Sequence, residues 1–151
     1  MGYEEQHDRR AEGSDDSDDV LTVLREAFDV ARRGDVARLS ALLDAGVPAD
    51  LTNSHGDSLL ILSAYHLHAG TVALLLDRGA DVERVNDNGQ SALAAAVFRR
   101  NVVLVEMLLA AGAQADTGTR SAREVATFFE LTDMSAVLDL HAQALRQDTP
   151  E

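Results

Sequence analysis

The chain has 151 residues, enough for one domain of ordinary size. Its net charge of −13, from 26 acidic and 13 basic side chains, argues against a general nucleic-acid binder, which needs a basic footprint to replace counterions. Cysteine and lysine are both absent, which excludes disulfides, thiolate metal sites, cysteine nucleophiles and lysine chemistry of the Schiff-base or phosphate-loop kind.

Hydrophobic residues make up 46% of the sequence, yet there is no Trp and only four Phe and two Tyr. A core of Ala, Leu and Val suits thin, closely spaced helix pairs better than an aromatic-centred globule. Residues 1–19 carry eight acidic side chains against two arginines, with a Ser/Asp run from Ser14 to Asp19, and read as a disordered acidic tail. Asp18 or Asp19 is placed to cap the helix that follows. The N-terminus lacks the apolar centre of a signal peptide, and no stretch reaches the roughly 20 apolar residues needed to span a bilayer. A soluble cytoplasmic protein, with no membrane association, is the expectation.

From Val20 the apolar pattern is helical. Leu24, Ala27, Phe28 and Ala31 share a face, Gly34-Asp35 interrupts, and Val36, Leu39, Leu42 and Leu43 build a second helix ending at Gly46. The arrangement then repeats. Leu42-Leu43-Asp44-Ala45-Gly46 returns 33 residues later as Leu75-Leu76-Asp77-Arg78-Gly79, and again as Leu108-Leu109-Ala110-Ala111-Gly112. Likewise Asn53-Ser54-His55-Gly56-Asp57-Ser58 is matched by Asn86-Asp87-Asn88-Gly89-Gln90-Ser91. A unit this short cannot bury its own apolar face, so copies must stack on one another.

Ser58 and Ser91 are predicted helix caps, and Gly46, Gly79 and Gly112 predicted left-handed helix stops. Segments 47–57 and 80–90 are expected to project as turns or short hairpins, without forming a true sheet. The fourth copy is irregular: Ser121 follows Gly112 by nine residues, where the earlier copies use twelve. Leu131, Met134, Val137 and Leu138 supply its last apolar face. The domain organisation is thus a tail over 1–19, about four helix-pair units over 20–142 with atypical ends, and a flexible terminus over 143–151.

These residues resemble the ankyrin repeat. Gly56-Asp57-Ser58-Leu59-Leu60-Ile61, Leu75-Leu76 and Gly79-Ala80-Asp81 follow that family's turn glycine, helix opening, paired leucine and closing motif. Gly89-Gln90-Ser91-Ala92-Leu93-Ala94, Leu108-Leu109 and Gly112-Ala113 do so again. The resemblance covers roughly residues 22 to 142 and implies an all-α solenoid of helix-turn-helix units. It departs where the family has Pro (Leu59 and Ala92 here) and His (Ile61 and Ala94), so the serines are left to cap alone.

The resemblance further implies a non-enzymatic module that binds a protein partner on a concave face made of projecting turns and first-helix ends. Carried over position by position, the candidate residues are Arg32 and Arg33, Tyr65 and His66, Phe98 and Arg99 on the helices, with His55, Asp57, Asp87, Asn88 and Gln90 at the turns. Exposed aromatic and arginine residues are the usual hot-spot types. The plainer reading packs Phe128 or Phe129 into the terminal cap and folds Tyr65 and Phe98 over their own helices.

A second functional reading is an acidic inhibitor or immunity-like protein that masks a basic enzyme. A third, from another class, is a small enzyme or ligand carrier using His55, His66 and Asp57. The histidines do not follow a metal-ligand spacing, so neither metal nor cofactor is expected. The oligomeric expectation is a monomer or weak oligomer.

Overall fold

The computed structural model describes residues 2–148, with side chains from 17 to 147. Its helices are α1 (Gly2–Arg33), α2 (Val36–Asp44), α3 (Leu59–Tyr65), α4 (Ala69–Asp77), α5 (Ala92–Phe98), α6 (Val102–Ala110), α7 (Ala122–Phe128) and α8 (Thr132–Asp148). They form four antiparallel pairs. The inner row α1, α3, α5, α7 stacks in sequence, and the outer row α2, α4, α6, α8 stacks behind it.

Helices α3, α5 and α7 have seven residues each, too few to persist alone in water. Packing holds them. All six residues from Ala92 to Val97 are buried, as are Leu59 to Ala64. The small side chains of α5 let α3 and α7 approach from both sides, so one continuous core runs the length of the molecule. Each inner helix opens on a buried serine: Ser58, Ser91 and Ser121 Oγ accept from the main-chain N–H three residues on, at 3.0, 3.2 and 3.2 Å. The outer helices α2 and α6 open instead on Asp35 and Asn101, each accepting in the same way.

Gly46, Gly79 and Gly112 end their helices at φ 110°, 81° and 100°, in the left-handed region a β-carbon disfavours. A second left-handed position joins each inner helix to its outer partner. Gly34 fills it at φ 75°, but Leu67, Arg100 and Glu130 adopt φ 67°, 56° and 55° at the corresponding turns. The first three stand 33 residues apart.

The connections project as turns, and among the described residues a single bridge, Thr52 with Ser58, is the only β-pairing. Asn53 Oδ1 accepts from the N–H groups of His55 and Asp57 at 2.9 and 3.0 Å. Asn86 Oδ1 does the same for Asn88 and Gln90, at 3.0 Å each. Neighbouring tips are joined as well: Asp87 N–H donates to the His55 carbonyl, Asn86 Nδ2 to Asp57 Oδ1, and Arg120 N–H to the Gly89 carbonyl.

Two boundaries differ from expectation. Helical backbone extends from Arg33 back to Gly2, so Asp18 and Asp19 lie within α1 and cap nothing. Residues 4–12 are rich in Glu, Gln, Arg and Ala, good helix formers whatever their lack of apolar pattern. At the other end α8 continues past residue 142 to Asp148; residues 149–151 of the expected flexible terminus lie outside the described part. Met134 and Leu138 are buried where α8 closes over α7, with Leu131 and Val137 packed partly beside them.

Candidate protein-binding face

The last residues of the inner helices share one end of the stack, and their aromatic rings meet there across copies. Tyr65 and Phe98 lie 9° from parallel with centroids 6.3 Å apart. Phe98 meets Phe129 edge-to-face at 5.5 Å, and Phe129 meets Phe128 at 4.9 Å. His66 stands edge-on to Tyr65 at 5.2 Å, and the Arg99 guanidinium lies over the Tyr65 ring, also at 5.2 Å. The result is a ladder of rings running through three copies, with a cation on its first rung.

The rings are not withdrawn from solvent. Tyr65 is 41% exposed, Phe98 42%, Phe129 50% and Phe128 79%. This corrects the expectation that Phe128 or Phe129 packs inside the terminal cap: Met134 and Leu138 fill that space from α8. Nor do Tyr65 and Phe98 simply fold over their own helices, since each ring lies against one from the next copy. Beside Phe98, Phe128 and Phe129 opens a groove of about 950 Å³ whose wall includes Gln90 and Arg120.

The expected turn residues form the opposite rim. His55, Asp87 and Asn88 are exposed at the tips, while Gln90 and Asp57 are half-buried. Asp57 is engaged structurally, because its carboxylate accepts the Asn86 side-chain amide at 2.8 Å. The organising asparagines, Asn53 and Asn86, were visible in the sequence only as a matched pair without a role.

Electrostatics divide the arginines. Arg32 pairs with Asp29 at 2.9 Å and Arg100 with Asp133 at 3.1 Å. Arg123, in the groove wall, sits between Asp116 and Asp139. Arg33 and Arg99 are exposed and enter no such pair among the described residues. Burial lowers the His66 pKa from its ordinary value of 6.5, and Coulombic repulsion from His68, Arg32 and Arg99 lowers it further. His66 therefore presents a neutral ring at the head of the ladder.

Among the described residues, no group of three or more His, Asp or Glu side chains is disposed to hold a metal ion. His68 is committed elsewhere, with Nε2 on the Arg32 carbonyl oxygen at 2.6 Å. No described helix is long and apolar enough to cross a membrane.

A family model for ankyrin repeats in three copies matches residues 28–119. The chain belongs to the ankyrin-repeat family. An ankyrin repeat protein of Pseudomonas aeruginosa is 51% identical over 51 residues, a match covering 34% of this chain and 30% of that protein. The matched region is thus under a third of the relative's length. Ankyrin repeats generally mediate protein–protein interactions and are typically non-catalytic scaffolds. Where this ankyrin chain lacks the family's histidine at the helix opening, Ile61 and Ala94 are buried in the core, so apolar packing stands in for a polar network.

Proposed function

We propose that this ankyrin domain docks a protein segment across the aromatic ladder and its groove, in a cytoplasmic setting, with the tips at His55, Asp87 and Asn88 as the opposing rim. The observation that supports this reading is the ladder itself. Four aromatic side chains from three copies touch one another while each leaves at least 41% of its surface in water. Apolar rings left wet have an unrealised gain on burial of about 25 cal/mol per Å², and aromatic and arginine side chains concentrate binding energy when a partner covers them.

The test is affinity capture from the native lysate with the wild-type chain and with the Tyr65→Ala/Phe98→Ala variant, read by mass spectrometry. A partner held by the wild type and lost by a variant of unchanged helicity is the expected result. Equal capture by both would overturn the assignment to the ladder and move the site to the tips or the outer helices.

A further inference from the structure

We infer that the segment recognised by the ladder is acidic: a peptide whose aromatic or aliphatic side chains cover Tyr65, Phe98 and Phe129 while its carboxylates meet Arg99 and Arg120. This rests on the ladder-docking reading above and adds the chemistry of the partner.

Two unpaired cations accompany the exposed rings. Acidic side chains outnumber basic ones two to one in this chain, and they hold several of the arginines: Arg38 is held by Glu26, Arg78 by Asp44, Arg100 by Asp133. Among the described residues Arg99 and Arg120, like Arg25, Arg33, Arg84 and Arg146, have no carboxylate within 4.0 Å; of these, Arg99 lies on the ladder and Arg120 in its groove wall. Arg33 and Arg99 stand at the C-terminal ends of α1 and α5, where helix dipoles favour a cation. That accounts for their stability without a partner and leaves their donors unspent. A guanidinium lying on an aromatic face, as Arg99 lies on Tyr65, keeps its in-plane N–H groups directed outward, the geometry that forks a carboxylate. Arg120 offers a second cation in the groove wall beside Phe98 and Phe128.

Asp116 and Glu124 line the same groove and offset Arg120 and Arg123, so the positive excess lies at the Tyr65 half of the ladder. The depression of His66 there has cations among its causes, consistent with a positive local potential. The acidic remainder of the surface would repel polyanions that lack apolar anchors, which confines acidic ligands to this strip. A basic segment is drawn by the net charge but meets arginines here.

The test is selection of random dodecapeptides displayed on phage against the full chain, with a parallel selection on Tyr65→Ala/Phe98→Ala. The most enriched peptide is then synthesised and its affinity measured by fluorescence anisotropy. Enriched sequences should combine Asp or Glu with an aromatic residue. Arg99→Gln should weaken the peptide roughly tenfold, as loss of a charge-assisted hydrogen bond does, whereas Arg146→Gln on α8 should leave it unchanged. Enrichment of basic or uncharged sequences that still depends on Tyr65 and Phe98 would overturn the acidic partner and leave the face standing. No enrichment, or the same enrichment on the double variant, would overturn both. Both rings are partly exposed, so the variant should keep its helicity, and the Arg99→Gln arm does not depend on it.

Discussion

The ring of His68 seals the end of α1: its Nε2 donates to the Arg32 carbonyl oxygen at 2.6 Å, and the ring occupies the space beside Gly34 that a side chain would need. Residues from the first and second copies are thereby locked at the turn between inner and outer helices.

Gly34→Ala should therefore cost about 1–3 kcal/mol, combining a left-handed backbone with a collision against an imidazole. Gly46→Ala is the control. Its φ is also positive, but nothing lies within 4 Å of an added Cβ, so it should cost less. Urea denaturation of both variants followed by circular dichroism separates the two terms.

The turn that Gly34 makes freely is made by Leu67 at φ 67°. Leu67→Gly should stabilise the chain by roughly 0.5 kcal/mol, since relief of about 1–2 kcal/mol of left-handed strain exceeds glycine's extra unfolded-state entropy. A thermal midpoint above the wild type's is expected; an unchanged or lower midpoint means that Leu67's contacts outweigh the strain.

Ser63 is buried within α3 and its hydroxyl has no hydrogen-bond partner. The corresponding position in the next copy, Ala96, is equally buried, which indicates that a methyl group suits the slot. Ser63→Ala should raise stability by about 1 kcal/mol, removing an unsatisfied polar group and adding helix propensity. Differential scanning calorimetry of the pair would read it.

His66 sets a pH dependence. Its folded pKa lies below 6.5, so around and below that value the unfolded chain binds more protons than the folded one. Stability should be unaffected well above pH 6.5, fall as the pH drops through 6.5 towards the folded pKa, and level off below it. His66→Gln should remove that decline. The loss expected from Glu26 and Asp133, whose pKa values are lowered by Arg38 and Arg100, belongs to a lower window, beneath their ordinary values of 4.5 and 3.8. Thermal midpoints collected from pH 8 to pH 5 isolate the histidine.

The repeat was legible because its signals are local. Ser58 and Ser91 stand where a cap must stand, and Gly46, Gly79 and Gly112 where the chain must turn left-handed. The second left-handed turn was not legible, because Leu67, Arg100 and Glu130 have no compositional signature for it; stacking of the helix pairs imposes it. The site was partly legible. Register placed Tyr65 over Phe98, but the contribution of Phe129 depends on the shortened fourth connection and on α8 filling the cap with Met134, which no spacing in a single copy discloses. The full extents of α1 and α8 are not legible for a related reason: apolar periodicity marks the part of a helix that packs, and helical backbone runs on beyond it.

The hydrogen bonds between projecting turns make their sequences interdependent. Asn86 supports its own turn through Oδ1 and reaches Asp57 in the preceding one through Nδ2, while Asp87 is tied to the backbone at His55. A replacement confined to 53–57 strips the next turn of an acceptor, and one confined to 86–90 does the converse. Re-targeting this protein by loop exchange would consequently succeed with adjacent turns transplanted as a set, and diversification of the rim, in the laboratory or in nature, should proceed through paired changes at these positions.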